Sequence, residues 1–283
     1  MSRSDWKRPA EFSAPSGRRR VALELSYDGR PYCGWQSQIS EKSVQETLKQ
    51  AIVRLLGDEN IDVVGSGRTD SGVHAYGQVA HVEFDMRSIP AKAFCNGLNS
   101  FLPSSIRIRR SWDVDDSFHA RYSAMAREYH YFCKIGENRN PFTTGLVTLL
   151  KGFPNLELLN SYAKHLIGTH DFTTFASARD ICPSKVRDIY QSEFTWTTSM
   201  YGEKILCYTI CGNAFLYHMV RSLVGSMLVM AERGESPDAF KAALDAKNRN
   251  LAKRTAPADG LYLWRVSYDP SEYQWFEDQY GRQ

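Results

Sequence analysis

The stretch Gly65-Ser66-Gly67-Arg68-Thr69-Asp70-Ser71-Gly72-Val73-His74-Ala75 decides how the rest of the chain is read. Before it, Asn60–Gly65 reads as a strand with Ile61, Val63 and Val64 as its apolar positions. After it, Gln78–Phe84 reads as a second strand carrying Val79, Val82 and Phe84. Glycine permits backbone angles and close approaches that other residues resist. A polar loop held between two apolar strands therefore suits the rigid presentation of one carboxylate, Asp70, to a ligand. A plain loop in which an Arg–Asp pair caps its own backbone has the same composition, so other parts of the chain must separate the two readings.

Outward from the loop, Val21–Tyr27 alternates apolar and polar residues and reads as a strand, turned at Asp28-Gly29-Arg30-Pro31. An aromatic and amide-rich loop, Tyr32–Gln38, follows. Ser43 opens a helix with Val44, Leu48, Ile52 and Leu55–Leu56 on its apolar face; Glu46 stands at capping-box spacing and Gly57 ends it. Ala91–Phe101 reads as a helix started by Pro90, Ile106–Val114 as a strand carrying Arg107, Arg109 and Arg110, and Glu128–Ile135 as a strand with Tyr129, Tyr131 and Cys133 on one face. Gly136–Pro154 is an irregular connection. Beyond it come a helix over Leu156–Gly168, strands near Val186–Trp196 and Glu203–Cys211, helices over Leu216–Arg233 and Pro237–Ala246, and a strand over Leu261–Tyr268. The expected organisation is α+β: a tail over 1–19, a half over 20–136, a connector over 137–154, a second half over 155–268 in a similar order, and a tail over 269–283.

With 283 residues, 42% apolar and 24% charged, the chain has the composition of a soluble globular protein with ample core. Its longest apolar run, Leu223–Ala231, is interrupted by Gly225 and Ser226 and is too short to span a bilayer. No signal-like apolar stretch stands at the N-terminus, so the expected compartment is the cytoplasm. The six cysteines are scattered without a C-x-x-C and read as reduced, mostly buried thiols. The net charge of +3 is unevenly spread. Residues 1–20 carry six basic against two acidic side chains, a net +4, and residues 269–283 carry one against four, a net −3. The body between is left near neutral, so any nucleic-acid surface is a local patch.

Arg68 lies two residues before Asp70, on the same side of an extended segment, within reach of Asp70 or of a phosphate or base beyond it. Arg221 stands on a late helix built mainly of Leu, Val and Met. It reads either as a buried arginine in need of a carboxylate, for which Asp70 is the candidate, or as part of a solvated helix face. Aromatic side chains next to a carboxylate, among Tyr32, Trp35, Phe118, Tyr122, Tyr129, Tyr131 and Tyr217, suit a base-stacking platform. The histidines lack metal-ligand spacing, which argues against a metal-dependent hydrolase. An acidic residue in the middle of the loop argues against a passive phosphate grip in a non-catalytic RNA-binding module.

Gly67-Arg68-Thr69-Asp70-Ser71-Gly72-Val73-His74-Ala75 resembles the signature loop of the TruA-type tRNA pseudouridine synthases. It is joined, in that family's order, by Tyr27-Asp28-Gly29, Gly34-Trp35-Gln36, Ser43-Val44-Gln45 and Phe118-His119-Ala120-Arg121-Tyr122-Ser123-Ala124 with Arg127 and Tyr129. His170-Asp171-Phe172-Thr173, Asn213–Gly225 and Ala256–Leu263 follow. The resemblance spans residues 20–268. It implies two similar α+β halves sharing an antiparallel sheet with a central basic cleft, a cytoplasmic homodimer, and no metal or organic cofactor. The implied reaction isomerises uridine to pseudouridine at positions 38, 39 and 40 in the anticodon stem-loop of tRNA. By the same resemblance Asp70 is the catalytic carboxylate, attacking C1′ or taking a proton from C2′, with both routes open. Tyr129 stacks on the uracil, Arg221 pairs with the aspartate, Arg68 fills the gap left by the flipped nucleotide, and Leu261 and Leu263 wall the pocket. One departure stands out: Ala176-Ser177-Ala178-Arg179-Asp180 follows Phe175 where the family pattern places an arginine directly after the phenylalanine.

Overall fold

The computed structural model describes residues 18–38, 41–85, 89–136 and 139–269. The chain divides into two compact units, Met1–Met125 and Ala126–Gln283, both α+β. Residues 1–17 of the expected basic tail and 270–283 of the acidic tail lie outside the described residues.

In the first unit the strands are β1 (Arg18–Tyr27), β2 (Val63–Gly65), β3 (His74–Asp85) and β4 (Ile106–Asp113), and the helices are α1 (Val44–Leu56) and α2 (Ala91–Phe101). All strand pairs are antiparallel, in the order β4-β1-β3 with β2 also on β3. β1 is longer than the apolar alternation predicts. Arg18, Arg19 and Arg20, read as the end of a tail and the residue just after it, belong to the strand because each meets a carboxylate from a neighbouring strand. Arg18 lies 3.9 Å from Asp85, Arg19 lies 2.5 Å from Asp113, and buried Arg20 pairs with Glu83. The ends of α1 form as the sequence indicates: Ser43 Oγ accepts the Glu46 N–H at 3.1 Å, and Gly57 closes the helix at φ 68°. α2 packs through Phe94 on Phe84, ring centroids 5.2 Å apart. Asn99 pairs with both backbone groups of Ile108, at 2.9 Å each.

The second unit holds β5 (Ala126–Ile135), β6 (Thr148–Leu150), β7 (Gly168–Asp171), β8 (Val186–Thr198), β9 (Lys204–Gly212) and β10 (Leu261–Ser267). Its helices are α3 (Leu156–Lys164), α4 (Met219–Glu232) and α5 (Pro237–Asp245). The sheet order is β10-β5-β9-β8-β7, antiparallel throughout, with β6 parallel to β5. The boundary therefore falls before β5 and not at 136, because both long partners of β5, β9 and β10, come from the second unit. The connector is also less irregular than expected: Thr148–Leu150 pairs with Cys133–Ile135. The helix expected to reach Gly168 stops at Lys164, and Gly168, at φ 102°, starts β7. Tyr162, Phe175 and Phe240 stack at 5.2–5.5 Å in the core beneath α3 and α5. The six cysteines are free thiols, with Cys133, Cys207 and Cys211 buried. Among the described residues, no helix is long and apolar enough to cross a membrane.

Candidate active site

The Asp70 loop leaves β2 at Gly65 and re-enters the sheet at His74, four residues earlier than the sequence suggests. Its first corner is fixed from within the sheet. Buried Gln78 accepts from Ser66 Oγ at 2.6 Å and donates to the Gly67 carbonyl at 3.0 Å, while Ser66 N–H bonds to Val79 O at 2.7 Å. Thr69, next to the aspartate, is gripped twice: its hydroxyl meets Tyr27 OH at 2.8 Å and its carbonyl accepts the Trp35 N–H at 3.1 Å. On the far side Val73 N–H bonds to Asp70 O at 3.1 Å, and buried His74 accepts the Gly29 N–H on Nδ1 at 3.1 Å. The Asp70 side chain is half-buried.

The neighbouring loops need their glycines. A Cβ on Gly34, at φ 112°, would overlap the Thr69 carbonyl oxygen and sit 3.0 Å from the Asp70 carbonyl carbon. A Cβ on Gly29 would overlap the Val73 carbonyl. Gly65 packs against the buried ring of Trp35, where a Cβ would come within 2.5 Å. The segments Asp28–Gly29 and Gly34–Gln36, which sequence reading placed on separate loops, thus form the bed on which residues 67–74 lie. Asp28 itself is ionised over a wide range. Burial pushes its carboxyl up, but hydrogen bonds from the Arg30 side chain and backbone, with the Arg30 charge, outweigh this and hold it below the ordinary carboxylate value.

Arg68 is exposed, and its Nε donates to Gln36 Oε1 at 3.1 Å. Gln36 is held in turn by Gln45 of α1 at 2.9 Å, and Gln45 Nε2 donates to Val63 O at 2.7 Å. The partner of Arg68 thus comes from 32 residues away, through an amide relay that no short-range spacing reveals.

In the second unit Tyr129 of β5 sits opposite Leu263 of β10 and Ile210 of β9. Only 8% of it is exposed, and Phe215 meets its ring edge-on at 5.0 Å. Leu261 stands opposite Tyr131, and both leucines are buried. Tyr131, an expected aromatic without an assigned role, anchors the 256–263 segment. Its hydroxyl meets Thr148 Oγ1 at 2.6 Å and donates to Pro257 O at 2.9 Å, and Thr148 donates to Asp259 at 2.7 Å. Burial raises the Tyr131 hydroxyl pKa strongly, so it stays protonated.

Arg221 lies in the first turn of α4. It fits neither sequence alternative simply: it is half-buried, and its Nε donates to the Ala256 carbonyl at 2.8 Å while Ala256 N–H returns a bond to Arg221 O at 3.0 Å. Gly225, one turn on, admits the 254–256 backbone so closely that a Cβ there would overlap Arg254 O. α4 starts at Met219 and not Leu216, because His218 takes φ 61° and turns the chain into the helix. In the departing segment after Phe175, Asp180 accepts the Tyr217 N–H at 2.6 Å and Lys185 Nζ at 2.5 Å. Arg179 is exposed.

The first unit thus holds Asp70 and Arg68, and the second holds Tyr129, Arg221, Leu261 and Leu263. The sequence model of the tRNA pseudouridine synthases matches two stretches, residues 25–123 and 162–269. The chain belongs to the tRNA pseudouridine synthase family. The family reaction is an isomerisation of tRNA uridine, and the mixed α+β architecture of both units agrees with membership. The chain is 43% identical to tRNA pseudouridine synthase A of Bacillus subtilis over 251 residues, covering 88% of this chain and 99% of that protein. It is 40% identical to the protein of the same name from Bacillus pumilus, with the same coverage. The Latilactobacillus sakei protein of that name is 37% identical over 250 residues, again 88% of this chain and 99% of the relative. The first synthase match contains the whole Asp70 loop and its bed; the second contains Arg221, Leu261 and Leu263, while Tyr129 lies between the two.

Proposed function

We propose that this chain isomerises uridine to pseudouridine at positions 38, 39 and 40 in the anticodon stem-loop of tRNA, with Asp70 as the catalytic carboxylate. The C1′–N1 bond breaks, the uracil turns, a C1′–C5 bond forms, and C5 loses the proton that N1 regains on balance. No external oxidant, reductant or organic cofactor is needed. The base must first leave its stack, which costs a few kcal/mol. Attack on C1′ and proton removal from C2′ both require a carboxylate held still beside the sugar.

The observation that carries this reading is the immobilisation of Asp70. The carbonyl on its N-terminal side and its own carbonyl are both hydrogen-bonded, and two glycine-dependent contacts lie directly beneath the loop. A loop that merely connects two strands has no use for such a bed. In this account Tyr129 stacks on the uracil and its hydroxyl serves the C5 proton. Arg221, set by the Ala256 carbonyl, pairs with Asp70 and orients its carboxylate. Arg68, oriented by Gln36, fills the space that the flipped nucleotide vacates. Leu261 and Leu263 form the apolar wall behind Tyr129. The protein acts in the cytoplasm as a homodimer.

The test is a map of pseudouridine in tRNA from cells lacking this protein. Loss at positions 38 to 40, restored by the wild-type gene and not by Asp70→Ala, supports the proposal. An unchanged map overturns it.

A further inference from the structure

β6 pairs with β5 over only three residues, yet it delivers one side chain to a buried junction in the second unit. Thr148 of β6 stands beside Cys133 of β5. Its hydroxyl meets Tyr131 OH at 2.6 Å and donates to Asp259 Oδ1 at 2.7 Å. Tyr131 OH also donates to the Pro257 carbonyl at 2.9 Å. Tyr131 and Thr148 are both buried. Buried hydroxyls are costly to leave without partners, so this pair holds the 257–259 backbone wherever the core is closed. The fit is tight as well. A Cβ on Gly260 would come within 2.9 Å of the Phe132 carbonyl oxygen, Thr148 Oγ1 and the Tyr131 ring.

The same segment is held from its other side by α4. The Ala256 carbonyl accepts Arg221 Nε at 2.8 Å, Ala256 N–H donates to Arg221 O at 3.0 Å, and Gly225 lets the 254–256 backbone pass against the helix. Ala256 and Pro257 are adjacent, so one carbonyl meets the guanidinium and the next meets the Tyr131 hydroxyl. The ring of Pro257 fixes φ between them. Residues 256–259 thus form a strut between β5 and α4. For packing alone, phenylalanine and valine would fill the space of Tyr131 and Thr148. The hydroxyls add direction: they fix where the Pro257 carbonyl points, and with it the neighbouring carbonyl of Ala256.

We propose that Tyr131 and Thr148, the latter held by Asp259, are positioning residues for Arg221, which they align through the 256–257 backbone. This rests on the reading of Arg221 as the partner of Asp70, and it gives β6 a task in the reaction.

The experiment takes two readouts. One is solvent exchange of the Arg221 Nε–H in the free protein, followed by its ¹H–¹⁵N signal, which is assigned by its loss in Arg221→Lys. The other is kcat and KM for tritium release from tRNA tritiated at uridine C5. The variants are Tyr131→Phe, Thr148→Val, Thr148→Ser and the double variant Tyr131→Phe/Thr148→Val. Serine keeps the hydroxyl that valine lacks. For Tyr131→Phe and for Thr148→Val the expected kcat is about tenfold down with KM within about twofold, because a small misplacement at the reacting centre costs rate before it costs binding. The Nε–H should exchange about tenfold faster in both, as its hydrogen bond opens more often. Thr148→Ser should stay within about twofold of wild type in both readouts, and the double variant should be no worse than either single one, because the two hydroxyls act as a unit. The proposal is overturned if Tyr131→Phe and Thr148→Val leave the Nε–H exchange unchanged, whatever the rate does. It is also overturned if Thr148→Ser falls as far as Thr148→Val, or if the loss appears in KM alone. Should one of the two hydroxyl-deleting variants fail to fold, the other decides the outcome. A wild-type protein that released no tritium would overturn the isomerase reading, and the Nε–H exchange would still decide the strut.

Discussion

Replacing Gly34 by alanine probes the immobilisation of Asp70 without touching a polar group. The new methyl would overlap the Thr69 carbonyl oxygen and lie 3.0 Å from the Asp70 carbonyl carbon and 3.2 Å from the Ser71 nitrogen. All three atoms belong to the backbone that carries the carboxylate, and none is the end of a flexible side chain. Relief therefore requires the loop to move off its bed by about 1 Å, a displacement that in a positioned catalytic group costs on the order of 100-fold in rate. The residue also keeps a φ of 112°, which adds about 1–3 kcal/mol of backbone strain for alanine. The assay is single-turnover tritium release at saturating tRNA, with thermal unfolding in parallel. The expected result is a folded protein of lowered Tm whose rate is about 100-fold down while tRNA binding changes little. A folded variant with a rate within threefold of wild type would refute the claim that the Gly34 contact sets the position of Asp70.

Three further outcomes follow from the same structure. Burial, then His119 and Arg20, lower the His81 pKa from 6.5 to about 3. The unfolded chain thus binds a proton that the native state refuses between those values, and stability falls as pH drops from 6.5 towards 3. The loss approaches about 1.4 kcal/mol per pH unit, up to about 4–5 kcal/mol in all. Urea unfolding between pH 7 and 4.5 should show a shallower slope for His81→Asn; equal slopes would refute it. Ser43→Ala removes the N-cap of α1 and should cost about 1 kcal/mol, read as a Tm lowered by about 2–4 °C with kcat unchanged. Gln78→Leu leaves buried partners at Ser66 and Gly67 unsatisfied; denaturant unfolding should show a loss of about 1–3 kcal/mol, and kcat should fall with it.

Local signals carried much of the architecture. Ser43 and Gly57 mark the ends of α1 because a side-chain cap and a left-handed glycine act within one turn of the helix they bound. Ala91–Phe101 has the bounds its apolar spacing gives. What sequence reading missed depends on partners far along the chain. Arg18 and Arg19 look like a tail until Asp85 and Asp113 are set beside them. β6 has three residues and no period, and exists only because β5 offers an edge. His218 enters the left-handed region, uncommon for any residue but glycine, so nothing local moves the start of α4 to Met219.

The candidate site divides in the same way. The loop that carries Asp70 was legible from its glycines between two apolar runs. Its bed was not, because the Gly29 and Gly34 contacts join segments about 40 residues apart. Arg68 was expected to act beside Asp70, and its contact with Gln36 shows how an amide relay orients a side chain whose sequence neighbours suggest another partner.

The central claim, that the Asp70 carboxylate performs the chemistry, is tested most directly by Asp70→Asn, which keeps the shape and removes the charge. The measurement is tritium release from [5-³H]uridine tRNA, with tRNA binding by the same preparation as control. Binding within a few-fold of wild type and no release above background are expected. Release at a tenth of the wild-type rate or more would contradict it.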